Sequence, residues 1–301
     1  MTDLNGFTLI TITGPTGSGK SALAVEVARH LGCHIISADS RQIYRGLPIG
    51  TAAPTAAQLK AVPHHFVGCL DLHDYYSAAR FEADVIRLLP ELAAQSRHAV
   101  MCGGSMMYID AVTRGIDELP EVSEEVRREA YALLHEGGLE AVRRELERID
   151  PDCYAGIDRN NAKRMVHAIE ITRQAGVPYS SLLTGAAKPR PWRAVNVALT
   201  MPREQLFERI NRRVDAMIAQ GLEDEARAVY NLRHLNSLNT VGYKEMFAIF
   251  DGTMDRATAI ARMAKNTRVY SKKQLTWLKR RPEFTLIQAD EGAADAVMAL
   301  I

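Results

Sequence analysis

Apolar residues along this chain fall into short β-prone runs separated by longer stretches with helical periodicity. Residues 7–12, Phe-Thr-Leu-Ile-Thr-Ile, form the first run and predict a buried strand. In the stretch 20–31 the apolar positions recur every four residues, which predicts a helix that ends at Gly32. The other predicted strands are residues 34–38, 99–102, 195–199 and, from a weaker pattern, 285–287. Strands that alternate with helices predict an α/β fold, with a parallel sheet covered by helices on both faces.

The middle of the chain has helical patterns and no convincing strand. The predicted helices run from the N-cap Ser123 to Gly137-Gly138, from Leu139 to Ile149, and from Ala162 to Gln174. A helical block between strands of one sheet indicates an inserted subdomain. We therefore predict a core made of residues 1–114 and 191–301, interrupted by an all-helical insertion at 115–190.

Composition excludes several classes of protein. The 301 residues carry 37 Lys plus Arg against 36 Asp plus Glu, a net charge of +1, so the chain is not a uniformly basic nucleic-acid binder. None of the four cysteines forms a C-x-x-C pair, which argues against a zinc site or a disulfide framework. No apolar run approaches the roughly 18 residues of a membrane span, and the N-terminus does not resemble a signal peptide. We expect a soluble cytoplasmic protein with no membrane partner, and nothing indicates an obligate dimer, so a monomer is expected.

A glycine-rich turn lies between the first strand and the first helix and fits the pattern G-x-x-x-x-G-K-[ST]. Its residues are Gly14, Pro15, Thr16, Gly17, Ser18, Gly19, Lys20 and Ser21. Such a loop turns backbone N–H groups toward phosphate oxygens at the positive end of a helix. Lys20 can reach the outer phosphates and the Ser21 hydroxyl can ligate Mg²⁺. The motif predicts a P-loop NTPase-like fold and a di- or triphosphate ligand.

The strand ends nearby do not favour ATP as a phosphate donor. ATPases and kinases usually carry an Mg²⁺-directed Asp at a second strand end, but Cys102 is followed by Gly103-Gly104-Ser105. The acid at a strand end is Asp39, which predicts either a general base or metal-directed carboxylate, or else an N-cap or Asx-turn residue. We therefore expect a pyrophosphate that leaves from this site, with Ser105 reaching the same pocket.

Two further features are ambiguous on sequence alone. His64 and His65 could act in acid–base chemistry, although such histidines more often cap a loop. Arg213 borders the buried stripe of a predicted helix and therefore needs an anion, for which a carboxylate and a phosphate are equally open.

A basic segment lies near the C-terminus. Eight basic residues and no acid occur between positions 262 and 281, and all but Arg281 fall on one side of a helix. They are Arg262, Lys265, Arg268, Lys272, Lys273, Lys279, Arg280 and Arg281. An amphipathic helix with its basic side free predicts an anionic partner. RNA is favoured over a membrane surface, because the same chain carries a small-molecule phosphate site.

These motifs together resemble those of the bacterial tRNA dimethylallyltransferases. The resemblance runs in order from about Leu9 to Arg281. Besides the glycine-rich loop it rests on residues 39–44, 49–51, 63–65, 77–81, 103–105, 221–225, 241–245 and 267–274. It implies transfer of a dimethylallyl group from its diphosphate to N6 of adenine 37, beside the tRNA anticodon.

The resemblance also implies roles for individual residues. The phosphate loop would hold the diphosphate, with Mg²⁺ near Ser21. Asp39 would be the general base, Ser105 would lie beside the target base, and Arg213 would belong to the diphosphate pocket. The implied contacts to the tRNA anticodon stem-loop are Asp39, Ser40, Arg41, Gln42, Ser105, Arg127, Asn161, Arg164, Lys272, Lys273, Gln274 and Lys279.

The chain departs from the family pattern at several positions. Ala53 stands where the family has Lys, Ser105 where it has Thr, and Met106-Met107 where it has Gly-Leu. Asn161 and His167 replace Asp and Arg. Two alternative functions remain: prenyl transfer to a free adenine nucleotide, which would need neither the basic helix nor the insertion, and a P-loop kinase, which the missing acid after Cys102 disfavours.

Overall fold

A six-stranded parallel sheet forms the centre of the computed structural model, which describes residues 4–301. The strands are β1 (Thr8–Thr13), β2 (Ile35–Ser37), β3 (His64–His65), β4 (His98–Cys102), β5 (Arg193–Thr200) and β6 (Thr285–Gln288). Their spatial order is β3-β2-β4-β1-β5-β6, and every neighbouring pair is parallel. The predicted α/β class and the five predicted strands are confirmed. Strand β3 was missed because two residues are too few to show a hydrophobic period.

The central strand β1 is buried along its whole length. All six of its residues are buried, and Ile10 lies opposite Val100 of β4 and Val195 of β5. A parallel strand covered on both faces must be apolar at successive positions rather than at alternate ones. This requirement explains why residues 7–12 do not alternate between apolar and polar side chains and have threonine as their only polar residue type.

Helices lie between the strands along the chain. In chain order they are α1 (Lys20–Leu31), α2 (Ala56–Ala61), α3 (Ala78–Ala93), α4 (Met106–Arg114), α5 (Glu124–Ile149), α6 (Pro151–Gly156), α7 (Ala162–Ala175), α8 (Tyr179–Leu182), α9 (Arg203–Ala219), α10 (Leu222–Ala228), α11 (Tyr243–Phe250), α12 (Arg256–Leu278) and α13 (Ala293–Met298). Within the described residues 4–301, no helix is both long enough and apolar enough to span a bilayer.

Two apolar clusters cover the two faces of the sheet. On one face α3 and α4 contribute Phe81, Leu89 and Ile109, each fully buried. On the other face α1 and α13 contribute Val27 and Val297, also fully buried. A third cluster unites α9, α10, α11 and α12 beside the sheet. Helix α12, which carries most of the basic segment, therefore belongs to the core unit.

The chain divides into two compact units. One comprises the described residues up to Thr113 together with Pro189–Ile301, and the other is Arg114–Lys188. The second unit is entirely helical and has its own apolar cluster, which includes Val142, Leu146 and Ile169. The helical geometry of α5 is interrupted at Gly138, which has φ 64° and ψ −165°, so α5 consists of two helical segments that meet there. A glycine adopts this positive φ at little cost, as the Gly137-Gly138 pair predicted.

We predict that a buried ion pair between α3 and the segment before β5 stabilises the core unit. Arg190 donates to Glu82 at 2.5 Å and to the Ala111 carbonyl at 2.6 Å, and the two charged side chains are each 10% exposed. Glu82→Ala would leave the guanidinium buried without its carboxylate. Removal of one partner of a buried pair costs about 3–5 kcal/mol, which urea unfolding measures directly.

The matched control is Glu208→Ala, which breaks an exposed pair with Arg212 whose side chains are 65% and 69% exposed. That change should cost less than about 1 kcal/mol. Equal losses for the two variants would contradict a stabilising role for the buried pair.

Candidate active site

The carboxyl ends of β1, β2 and β4 meet at one edge of the sheet. Ala38 donates its N–H to the Cys102 carbonyl at 2.8 Å, and Gly103 donates to the Ile12 carbonyl at 3.3 Å. A Cβ at Gly103 would lie 2.0 Å from the Ala38 carbonyl oxygen, so no larger residue fits there. This close approach places Asp39, which follows Ala38, beside the loop that follows β4. Ligands of parallel α/β proteins gather at this edge.

The phosphate loop joins β1 to α1 at the same edge. Gly14, Gly17 and Gly19 have φ values of 148°, 91° and 97°, in the region that favours glycine. Gly19 is the N-cap of α1, so the N–H groups of Lys20 and Ser21 have no acceptor within the helix. Unpaired amides at a helix N-terminus favour an anion.

A cavity of about 440 Å³, which includes space open to solvent, lies between these elements. Its wall comes from the phosphate loop, the ends of β2 and β4, α9 and α12. The lining residues are Thr16, Lys20, Ser21, Asp39, Gln42, Ala52, Cys102, Gly103, Gly104, Arg213, Tyr270 and Gln274. The structure therefore brings together three sequence-predicted groups, namely the end of the phosphate loop, Asp39 and Arg213.

The cations Lys20 and Arg213 face this cavity, and nearby negative charge offsets little of their positive charge. Burial lowers the pKa of Lys20 below its usual value, and the neighbouring Arg213 lowers it further, while Cys102 and Asp39 raise it. Burial likewise lowers the pKa of Arg213, which Asp39 partly offsets. Among the described residues, no carboxylate lies within 4.0 Å of either cation. The sequence left the partner of Arg213 open between a carboxylate and a phosphate, and this geometry favours the phosphate.

Asp39 forms a local turn and also lines the cavity. Its Oδ1 accepts hydrogen bonds from the N–H groups of Arg41 at 2.9 Å and Gln42 at 3.3 Å, which forms an Asx-type turn. Both bonds use the same oxygen, and the carboxylate lines the cavity. The turn therefore fixes the orientation of Asp39, and Oδ2 can accept a proton.

Ser105 is buried behind the cavity wall. Its Oγ accepts the Ser40 N–H at 2.8 Å and donates to the Ser40 Oγ at 3.2 Å, and the side chain does not line the cavity. These bonds tie the loop after β4 to the turn that carries Asp39. The hydroxyl therefore positions the turn in this structure, rather than reaching into the pocket as the sequence led us to expect.

Three of the residues expected to contact tRNA are bonded inside the core unit. Arg41 donates to the carbonyls of Asn236 at 2.7 Å and Ser237 at 3.1 Å. Gln42 accepts from the Ser37 hydroxyl and donates to two carbonyls of the 47–53 loop. Gln274 is only 2% exposed. Tertiary contacts that residue type and spacing do not reveal hold the polar groups of all three, and their contact with tRNA stays a prediction.

The 47–53 loop forms the cavity wall at Ala52 and is held from behind by Glu225. The carboxylate accepts the N–H groups of Ile49 and Gly50, each at 2.8 Å, and the Tyr243 hydroxyl at 2.5 Å. A Cβ at Gly50 would lie 2.5 Å from the Tyr243 ring. In the sequence, the segments 49–51, 221–225 and 241–245 contribute only to the family resemblance, which implies no role for them. The structure shows that they support the wall of the site.

The paired histidines lie outside this cavity. His64 Nδ1 is 2.8 Å from the Val62 carbonyl, and His65 Nε2 is 3.0 Å from His34 Nδ1. Burial lowers the pKa of both His64 and His65. They fix the edge strand β3, which matches the loop-capping alternative rather than acid–base chemistry in the cavity.

The C-terminal basic segment lies on α12 and the turn after it. Six of its cations are exposed, and none of the six has a carboxylate within 4.0 Å in the described part of the chain. They are Arg262, Lys265, Lys272, Lys273, Lys279 and Arg280, and we call them the basic face. The other two cations are bonded within the protein, although Arg268 was expected on the free side of the helix. Arg268 donates to Asn211, and Arg281 forms an ion pair with Asp110 at 2.7 Å.

The inserted unit holds the remaining candidates. Asn161 is the N-cap of α7 and accepts the Arg164 N–H at 3.2 Å, while the Arg164 side chain is exposed. Arg127 lies 3.9 Å from Glu170, whose side chain is 8% exposed. Asn161 therefore has a structural task that its residue type explains.

The cavity offers oxygen ligands suited to Mg²⁺. Ser21 and Asp39 both line it, and the described residues contain no cluster of three or more His, Cys, Asp or Glu side chains that could enclose a metal. Mg²⁺ commonly takes only one or two protein oxygens and completes its shell with water and phosphate oxygens. The residues present fit an ion held jointly with a diphosphate.

Comparison with known proteins gives a consistent family. The sequence profile of the family described as IPP transferase matches residues 42–281. The tRNA dimethylallyltransferase 2 of Porphyromonas gingivalis is 54% identical over 273 residues, which is 91% of each chain. The tRNA dimethylallyltransferase 2 of Parabacteroides distasonis is 51% identical over 286 residues, covering 95% of this chain and 96% of the relative.

Solved structures give the same result. The tRNA isopentenylpyrophosphate transferase of Bacillus halodurans superimposes with a TM-score of 0.70 at 35% identity, covering 97% of this chain and 93% of that one. A eukaryotic dimethylallyltransferase acting on tRNA superimposes with a TM-score of 0.80, covering 97% and 77%, and at 22% identity it supports the fold alone. The match of chain order and fold confirms the resemblance found in the sequence.

We predict that Lys20→Met removes anion binding without lowering the stability of the protein. Because burial lowers the pKa of Lys20, its charged form costs folding free energy at neutral pH. The variant should therefore melt at or above the temperature of the natural protein, and this difference should shrink as pH rises and Lys20 loses its proton. Inorganic pyrophosphate should raise the melting temperature of the natural protein but not of the variant.

The matched control is Lys60→Met on the exposed side of α2, which should keep the full response to pyrophosphate. A drop in the stability of Lys20→Met comparable to a core truncation would contradict this assignment.

Proposed function

This chain belongs to the IPP transferase family, and we propose that it transfers a dimethylallyl group from dimethylallyl diphosphate to N6 of adenine 37 in tRNA. The observation that carries the proposal is the cavity itself. It combines one oriented carboxylate, Asp39, with two partly buried cations, Lys20 and Arg213, which have no carboxylate within 4.0 Å among residues 4–301. A base and an anion-stabilising site on one wall suit a substitution in which a proton leaves the nucleophile and diphosphate leaves the donor.

Asp39 acts on the nucleophile. An exocyclic adenine amine is a poor nucleophile, so a carboxylate that accepts its proton as the N–C bond forms lowers the barrier. The two N–H donors on Oδ1 hold the carboxylate in one orientation. N6 bonds to the allylic carbon, the carbon–oxygen bond to the diphosphate breaks, and the proton of N6 passes to Asp39.

Lys20 and Arg213 act on the leaving group. Charge builds on the diphosphate as the carbon–oxygen bond breaks, and fixed cations in a buried site stabilise it better than water does. The amides at the start of α1 add to this field. A bound Mg²⁺, held by Ser21 and the diphosphate, would supply further positive charge there.

The basic face provides the macromolecular part of the substrate site. Six exposed cations on α12 and the turn after it, with no carboxylate within 4.0 Å in the described part of the chain, attract a phosphate backbone. The base must leave its stack to reach the cavity, as in other enzymes that modify a base. A free nucleotide would need no such surface, so the basic face favours tRNA over free adenine nucleotides as the acceptor. We propose that the inserted unit contributes Arg127, Asn161 and Arg164 to the same substrate.

We predict that Asp39→Asn abolishes turnover while tRNA still binds. Asparagine keeps the oxygen that accepts the Arg41 and Gln42 N–H groups but cannot take up the proton, so kcat should fall about 10²–10⁴-fold. The assay combines unmodified tRNA, dimethylallyl diphosphate and Mg²⁺ and measures the mass gain of one prenyl group at adenine 37. A natural protein that adds no prenyl group would refute the proposed function, and loss of tRNA binding in the variant would make Asp39 a structural residue.

We predict that the triple change Lys272→Ala, Lys273→Ala and Lys279→Ala weakens tRNA binding at low salt and flattens its salt dependence. For every phosphate that a lysine no longer neutralises, the slope of log K against log salt should become shallower by about 0.7–0.9. The KM for dimethylallyl diphosphate should not change. If the slope is unchanged and free AMP is prenylated as efficiently as tRNA, the free-nucleotide alternative holds instead.

A further inference from the structure

Gln274 links the helix that carries the basic face to the phosphate loop. Its Oε1 accepts the backbone N–H of Thr16 at 2.8 Å, and its Nε2 donates to the Gly104 carbonyl at 2.9 Å. The residue is 2% exposed, so these bonds exchange with water poorly. Both bonds reach across the chain, over 258 and 170 positions respectively.

The contact also changes how the phosphate loop can bind its ligand. Among the loop amides expected to face the diphosphate, the Thr16 N–H already has a side-chain acceptor. Pairing with Gln274 fixes the Pro15–Thr16 peptide, which lies one residue before Gly17, where φ is 91° and several conformations are otherwise open. The amides farther along the loop, at the start of α1, are then presented in one arrangement.

The other end of the amide holds the loop after β4. Gly104 accepts from both Gln274 and the Tyr270 hydroxyl, at 2.9 Å and 3.2 Å. A Cβ at Gly104 would lie 2.5 Å from the Gln274 Nε2, so a glycine is needed for this approach. The next residue is Ser105, which is bonded to the turn of Asp39. The Gln274 side chain therefore contacts the phosphate loop, which is expected to bind the donor. It also contacts the loop after β4, which is bonded through Ser105 to the turn that carries Asp39.

We propose that Gln274 is a positioning residue for the diphosphate donor. It fixes the phosphate loop through Thr16 and the wall loop through Gly104, and it makes no contact with RNA. The inner side of α12 thereby sets the donor site, while Lys272 and Lys273 on its outer side bind the acceptor. This inference rests on the proposed function and concerns the same site.

Gln274→Met tests it, because methionine has a similar shape but can neither accept from Thr16 nor donate to Gly104. We expect the KM for dimethylallyl diphosphate to rise about 10-fold or more, since two buried polar groups lose their partners. The tRNA dissociation constant, measured without donor, should stay within about twofold of that of the natural protein. Lys273→Ala, one position away on the exposed side, should show the reverse pattern. Thr276→Ala, whose hydroxyl bonds only within α12 at the Lys272 carbonyl, should change neither value.

Hydrogen–deuterium exchange gives a readout that does not depend on activity. The peptide that contains Thr16 should exchange faster in Gln274→Met, while peptides from β1 and β4 keep their protection. Gln274→Glu retains the acceptor for the Thr16 N–H, so its loop should stay protected even if the methionine variant folds poorly.

Three results would overturn the inference. They are weakened tRNA binding with an unchanged donor KM, which would make Gln274 an RNA contact, an unprotected loop in Gln274→Glu, and unchanged exchange at Thr16 in a folded Gln274→Met. Failure of the proposed function is distinguishable, because the natural protein would then transfer no prenyl group at all.

Discussion

The candidate site depends on two partly buried cations that have no carboxylate within 4.0 Å among the described residues. Lys20 and Arg213 face one cavity, and burial lowers the pKa of each. A core selected only for stability would pair such charges or replace them with apolar side chains, since an uncompensated buried charge is costly. Here Asp39 offsets the field only in part, so the site retains a need for an anion. In the reaction we propose, the diphosphate of the donor meets that need, and the same charge stabilises it as a leaving group.

The surrounding fold holds this charge arrangement in place. Gly103 allows β2 and β4 to approach until a Cβ would overlap the Ala38 carbonyl, which brings Asp39 to the cavity. Glu225 supports the loop at Ala52 from the opposite side, with two backbone N–H groups and a tyrosine hydroxyl as donors. These contacts are hydrogen-bonded and short, so small displacements would leave buried polar groups unsatisfied. Rigid support of this kind suits a reaction whose base and leaving-group site must keep a fixed separation.

Helix α12 combines two tasks that the primary structure does not separate. Its outer residues form most of the basic face, while its inner residues Tyr270 and Gln274 line the cavity. Helical periodicity alone divides the basic from the apolar positions. It does not show whether the amide of Gln274, which lies next to lysines in the chain, binds RNA or the protein's own backbone. The family resemblance implies that Gln274, Arg41 and Gln42 contact tRNA, and tertiary contacts hold all three side chains.

Local sequence information was enough to predict the parallel α/β sheet, the phosphate loop and the cationic helix. Each of these follows from a short window: the apolar period of a strand, glycines between a strand and a helix, and the absence of acids over one helical segment. The same information identified Asp39, because a carboxylate at a strand end is local as well. Tertiary packing was needed to establish that Arg213 has no carboxylate within 4.0 Å in the described part of the chain, that Ser105 bonds to Ser40, and that Gln274 reaches Thr16 over 258 positions. The partner of a buried polar group depends on which distant segments pack around it, and no short window of sequence contains that information.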